Sequence, residues 1–258
     1  WLSQVPVEGL APHWAARLQV RQAEVFSRLA FAAARRGDAR ASSAAARLAM
    51  DALSAAVPDG LSEADQREHL EAVLRTNAVR WAATPFAGTW PVALPLRIEA
   101  RPDGQTCVRV VDEKSAEKTS EKTPEKTLAE RCTWGQVWPE SAQRNRERNA
   151  IVLAVQPIDG WRELWVFRHT RQGWQVLVQP PAALLPGVGY AEFAGWVPGG
   201  QSMLVAREAV AEGRTIRRFE VVGLDNLIPQ RTAFHAEALG PFTRWADARW
   251  KRLSLAMR

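Results

Sequence analysis

The stretch Trp196-Val197-Pro198-Gly199-Gly200-Gln201-Ser202-Met203-Leu204-Val205-Ala206-Arg207-Glu208, continued by Arg217–Leu224, decides how the second half of the chain is read. A Trp leads through a Pro-Gly-Gly turn into an apolar strand, and a charged strand follows. An earlier stretch repeats this order: Trp138-Pro139, then Ile151–Gln156, Glu163–Arg168 and Trp174–Gln179. Pro and Gly supply the backbone angles of a tight turn, and the runs of Val, Leu, Ile and Phe favour strands. The spacing predicts one β-rich unit written twice. Such units normally stack several times around an axis to bury their faces. Two copies cannot close a ring, so other parts of the chain or a partner are expected to cover them.

The segment Ala194–Val205 resembles the Pro-Asp type of β-propeller repeat, known from the Tol-translocation propeller protein of bacteria and from prolyl-oligopeptidase-like enzymes. The family pattern is Trp-Ser-Pro-Asp-Gly before an apolar strand. Trp196, Pro198 and Gly200 match it, and Gly199 replaces the Asp. Arg101-Pro102-Asp103-Gly104 keeps Pro-Asp-Gly without the Trp, and Trp138-Pro139 keeps Trp and Pro with a longer charged loop after them. The resemblance implies stacked four-stranded sheets over about half the chain. It implies no chemistry, because such folds host binding and catalysis alike.

The first third has a different texture. Trp14, Leu18, Val25, Leu29 and Ala32 recur at helical spacing from Pro12 to about Arg36. Gly37-Asp38 ends that helix, and Asp38 is placed to cap a second from Ala39 to Ala56, with Ala45, Leu48, Ala49 and Leu53 along one side. Pro58-Asp59-Gly60 turns the chain, and Ser62 caps a third helix to about Thr76. This arrangement is similar to a single tetratricopeptide-type hairpin over about 45 residues, but such Ala-rich hairpins are common, and an ordinary helical hairpin packed on the rest is the favoured reading. After Trp81 the prolines Pro85, Pro91 and Pro95 stop helices. Leu96–Ala100 and Cys107–Val111 alternate around Pro102-Asp103-Gly104, which is a hairpin signal. The expected architecture is α+β. An N-terminal three-helix segment over residues 1–82 precedes an antiparallel region of blade-like sheets over 83–258, with a disordered insertion at 112–130.

That insertion reads DEKSAEKTSEKTPEKTLAE. It has no apolar face with which to offset its ordering entropy. The two cysteines, Cys107 and Cys132, flank it. Two strands joined by this loop would bring the sulfurs together as a disulfide; two buried free thiols are the other reading. The chain opens at Trp1 without a methionine, and a cleaved signal peptide or an imposed boundary would account for it. No stretch approaches the roughly 18 apolar residues of a membrane span. With a disulfide, these features point to the periplasm of a bacterium.

The composition is that of a folded chain, 47% hydrophobic and 24% charged. The net charge of +6 is carried almost wholly by Arg scattered among 28 acids, and no basic face for nucleic acid is expected. Arg144, Arg146 and Arg148 fall where the repeat should turn, as a solvated loop. Twelve Trp accompany a single Tyr. Most are expected to fill the core, and exposed ones would suggest sugar or peptide binding. The chain lacks a Gly-x-Ser-x-Gly elbow and a phosphate loop. His13, His69, His169 and His235 are scattered, so no metal, cofactor or catalytic set is expected. The expected function is a non-enzymatic envelope protein, a protein-binding scaffold or accessory subunit. Its partner would be another envelope protein or a second copy of itself. Phe193 and Trp196 are the expected anchors, because large aromatics dominate interface energy. A glycan- or peptidoglycan-binding module using exposed Trp, and an unrecognised hydrolase, are the alternatives.

Overall fold

A computed structural model describes residues 4–57, 61–82, 94–113, 125–183, 187–211 and 214–254. The fold is α+β and divides into two compact units, Trp1–Thr84 with Leu253–Arg258, and Pro85–Arg252.

In the helical unit, α1 spans Pro12–Arg35, α2 Ala39–Ala55 and α3 Glu63–Asn77. Pro12 opens α1 where a missing N–H costs nothing. Gly37 ends it at φ 75°, a left-handed angle open to glycine. The Asp38 carboxylate then accepts from Ala41 N at 2.9 Å and starts α2. Ser62 Oγ accepts from Asp65 N at 3.1 Å and starts α3. A π-helical turn, Ala78–Ala82, continues α3 and buries Trp81. Arg75, nearly sealed inside, donates to Ser27 Oγ at 3.2 Å and holds α3 to α1.

The face that α1 buries is not the row of large residues picked out by periodicity. It is Ala16, Val20, Ala23, Ser27, Ala30 and Ala33, and α2 answers with Ser42, Ala46, Ala49 and Ala52. Small side chains let the axes approach, and Trp14, Val25 and Leu29 turn outward, while Val20 is buried and Phe31 packs partly against Ala30, Ala46 and Val79.

The β unit holds two sheets. Strands β1 (Leu96–Ala100), β2 (Thr106–Val111) and β3 (Thr127–Thr133) form an antiparallel three-stranded sheet. The β1–β2 hairpin turns at Pro102-Asp103-Gly104, as its sequence predicts. Cys107 and Cys132 are direct partners across β2 and β3 and form a disulfide. The expected insertion is too long at one end. Thr127–Glu130 belong to β3, because Leu128 and Ala129 pack on the core. Residues 114–124 lie outside the described residues.

The larger sheet contains the predicted duplication as two antiparallel meanders. The first is β4 (Gln136–Arg144), β5 (Ala150–Ile158), β6 (Trp161–Thr170) and β7 (Gly173–Gln179). The second is β8 (Gly189–Val197), β9 (Ser202–Ala211), β10 (Arg214–Gly223) and β11 (Pro229–Ala233). They join by a short parallel pairing, Trp161↔Gly189 and Arg162↔Tyr190. One edge of β6 therefore carries β8 at its start and β7 beyond, and the sheet forks there. Arg207 on β9 spans the fork. It donates to Glu220 on β10 at 2.7 Å and also to the Gln179 side chain and Pro180 carbonyl at the end of β7. Among the described residues no sheet closes on itself.

The two copies turn by different chemistry. In the second, Gly200 takes φ 67° and leaves no room for a Cβ beside Glu147. In the first, the extra residues after Trp138 sit in a bulge within β4. Ser141 Oγ donates there to Trp138 O and accepts from Ala154 N, at 2.6 and 2.8 Å. The turn itself is an Asn145 loop, whose side-chain oxygen accepts from Asn149 N and Ala150 N at 3.0 Å each. Arg146 and Arg148 are exposed in that turn, whereas Arg144 is tied to Glu113 at 2.5 Å. The main core joins the small sheet, through Val108 and Val110, to Ile151, Leu153, Val155, Trp165 and Phe167.

Two short helices close the described chain, α4 (Gly240–Trp245) and α5 (Ala248–Leu253). The alternating tail from Leu253 predicts a last strand, but Leu253 ends α5 and residues 255–258 lie outside the described residues. Asp247 caps α5 through Arg249 N at 2.7 Å, and its own N–H donates to Ala194 O on β8 at 2.7 Å. Phe242 and Trp250 then pack edge-on around Phe219 of β10.

Candidate interaction face

The outward face of α1 is the most unusual surface of the helical unit. At about 100° per residue, Trp14, Leu18, Val25 and Leu29 fall within an arc of roughly 60°. Trp14 is 53% exposed, Val25 39% and Leu29 54%. Leu18 is half-buried. A helix that meets its neighbours largely through alanine and shows water a Trp, a Leu and a Val inverts the usual allocation of large and small side chains.

The border of this row is charged and held in place. Arg21 Nη1 lies 2.8 Å from both Glu24 and Glu68, Arg28 lies 2.9 Å from Glu24, and Arg17 lies 3.7 Å from Asp65. The hydrogen bond from Arg21 to Glu24 holds the Arg21 guanidinium above its ordinary range. Burial alone would raise the Glu24 carboxyl, but Arg21 and Arg28 bring it below its ordinary value. Arg17 also stacks over the Trp14 ring at 5.6 Å, which orients the indole. Arg17 and Arg21 reach across to Asp65 and Glu68 of α3, while Arg28 pairs with Glu24 of α1 itself, and Val25 and Leu29 stay exposed. What the arrangement offers is an apolar row with an ionic margin.

The aromatic pair expected to anchor a partner is placed otherwise. Phe193 and Trp196 touch, with ring centroids 4.7 Å apart, but Phe193 is 1% exposed and Trp196 is half-buried. Strand β8 lies between β6 and β9, so Phe193 belongs to the core. The cysteines expected to pair do pair, with Cys107 buried and Cys132 partly open. Among the described residues, the one cluster of three metal-ligating side chains is Cys107, Glu130 and Cys132. Its sulfurs are used in the disulfide, and Glu130 is bound by Arg101 at 2.6 Å. The two acids Glu163 and Glu208 stand at different places in the repeat, on the third strand of the first meander and the second strand of the second. Glu163 is on β6 and accepts from Trp165 Nε1 at 2.7 Å, whereas Glu208 is on β9.

Sequence reasoning missed a buried polar network. Arg162, Tyr190, Glu192 and Glu208 are all 0% exposed. Arg162 donates to Glu192 at 2.9 Å, and Trp250 Nε1 donates to the other oxygen of Glu192 at 2.8 Å. The Tyr190 hydroxyl donates to Glu208 at 2.6 Å, and Arg217 lies 3.9 Å from the same carboxylate. Strand register assembles it, since Arg162 faces Tyr190, Tyr190 faces Glu208 and Glu208 faces Arg217. Burial, with the nearby Glu192 and Glu208 charges, pushes the Tyr190 hydroxyl well above its ordinary range, and burial lowers the Arg162 guanidinium. Sealed from solvent, these groups fasten α5 to the sheet and offer no access to a substrate. The signal in the sequence was the lone Tyr of the chain in a strand whose neighbours place charges at its register.

Comparison with protein-family models, with curated proteins and with solved structures returned no match.

Proposed function

We propose that this protein is a non-enzymatic binding subunit of the bacterial periplasm, which engages another protein through the outward face of α1. The observation that carries the reading is the inversion of α1, with alanine inside and Trp14, Val25 and Leu29 outside. Exposed apolar ridges rimmed by charge are the usual form of a protein-binding site. The Cys107–Cys132 bond supports an oxidising compartment. No described helix is long and apolar enough to cross a membrane. In this reading the two meanders are degenerate blades of the Pro-Asp propeller type. They form a platform that is completed by the chain's own small sheet and C-terminal helices.

The test replaces Val25 and Leu29 together by Glu. The wild-type protein should migrate with a larger assembly in a native extract, and the variant should migrate alone with its thermal midpoint unchanged. An assembly that survives the double substitution contradicts the assignment of the face. The glycan-binding reading draws on the exposure of Trp134, at 75%, and Trp245, at 45%. These stand singly, one on the β3–β4 turn and one at the end of α4. Co-sedimentation with peptidoglycan that is lost on Trp134→Ala would favour it over the protein-binding reading.

A further inference from the structure

The apolar row on α1 has an internal symmetry. Trp14 and Leu29, Leu18 and Val25, and Ala11 and Ala32 are each placed evenly about the point between Arg21 and Gln22. A helix lying antiparallel on a copy of itself, with the two-fold axis at that point, sets each member of a pair against the other. Such an isologous contact requires a surface that complements itself, and spacing of this kind provides it. We infer that α1 docks on the α1 of a second copy, antiparallel, and that the protein is a two-fold dimer through this face. This deepens the binding reading above and rests on it.

The match is one of size as well as position. The Trp14 indole, the largest projection, meets Leu29, and the two branched residues Leu18 and Val25 fill the middle. Small Ala11 and Ala32 lie at the ends, where the axes of two helices diverge. The charged margin is compatible with the contact. A two-fold axis perpendicular to both helices brings like flanks together, and this flank carries both signs. The two Arg21 side chains come together beside the axis, where each is held 2.8 Å from its own Glu24 and Glu68 and its charge is offset. The far flank of α1 carries Gln19 and Phe26 and no charge. The contact extends over roughly 30 Å of helix at about 1.5 Å per residue. It covers about 1,000 Å² in total, at the lower end of specific interfaces, so a dissociation constant in the micromolar range is expected.

The first experiment is sedimentation equilibrium of the purified chain from about 1 to 100 µM. A reversible monomer–dimer equilibrium is expected, and Val25→Glu and Leu29→Glu should each weaken it at least tenfold. Arg21→Cys, next to the axis, should form an interchain disulfide under mild oxidation, while Arg47→Cys on the exposed side of α2 should not. This second readout leaves the apolar row intact and stands even where a Glu variant fails to fold. A monomer at 100 µM, undiminished dimer in the Glu variants, or equal cross-linking of the two Cys variants would each overturn the proposal. A photo-cross-linking residue at Val25, introduced in the producing cells, separates this inference from the broader reading. An adduct of twice the chain mass, joined through residues 11–36 of both copies, supports the dimer. An adduct with a different protein overturns the dimer and keeps the binding face. An adduct within one chain, or none, overturns both.

Discussion

Removing the Arg162 side chain tests the buried network most severely. Arg162 and Glu192 are both fully sealed, and the guanidinium donates to Glu192 at 2.9 Å. Arg162→Met keeps the volume of the stem but takes the guanidinium and its charge away from a buried carboxylate that also accepts from the Trp250 indole N–H. Deleting one partner of a buried ion pair costs about 3–5 kcal/mol, chiefly from the stranded charge rather than from the lost attraction. The Arg162 guanidinium also sits over the Tyr190 ring at 5.2 Å, so the upper part of that range is expected. Arg162→Met with Glu192→Leu removes both charges together. It should recover most of the loss, leaving about 1–3 kcal/mol for the orphaned Trp250 N–H. Urea unfolding followed by near-ultraviolet circular dichroism would read both variants. A single-variant loss below about 1 kcal/mol, the value of an exposed pair, would refute the reasoning. So would a double variant worse than the single one.

Other consequences are more local. Reducing Cys107–Cys132, or replacing both by Ser, should cost about 3.5 kcal/mol from the loop entropy of its 25-residue separation, measured by urea unfolding with and without reductant. The Tyr190 hydroxyl titrates above its ordinary value of 10.0 in the folded chain, so its contribution is complete below pH 10 and is lost as pH rises further. Stability should fall by about 1.4 kcal/mol per pH unit there, and Tyr190→Phe should flatten that limb. Burial raises the Glu163 carboxyl above 4.5, so the folded state binds its proton more tightly and loses relative stability as pH rises past 4.5. Glu163→Gln should therefore stabilise the chain at pH 7, with the advantage fading toward pH 4 in thermal melts.

Where single residues carry the local geometry, the sequence is a good guide. Asp38, Ser62 and Gly37 mark helix ends, Pro102-Asp103-Gly104 marks the hairpin, and the cysteines pair across β2 and β3. The duplication is also legible, because each meander carries its own run of branched residues and turn. What periodicity cannot decide is which face of a helix is buried. Trp14, Leu18, Val25 and Leu29 form the more hydrophobic row, yet α1 packs through alanine because close helix contact rewards small side chains. The burial of Phe193 was hidden for a related reason. An aromatic in a strand is core or interface according to what lies on either side, and the forked pairing of β8 with β6 is a contact between distant parts of the chain. The ionic network likewise depends on register across four strands, which no local pattern specifies.

The most direct measurement of the central claim is the reactivity of a cysteine at Val25 toward a maleimide probe. The native cysteines are bridged and do not compete. In the dilute purified protein, where position 25 is 39% exposed, labelling should be fast. In intact cells producing the chain, where neither a partner nor a second copy is diluted, labelling should slow at least tenfold as the face is covered, while Arg47→Cys labels equally in both. Equal rates at position 25 in the two settings would contradict the assignment of α1 as the binding face.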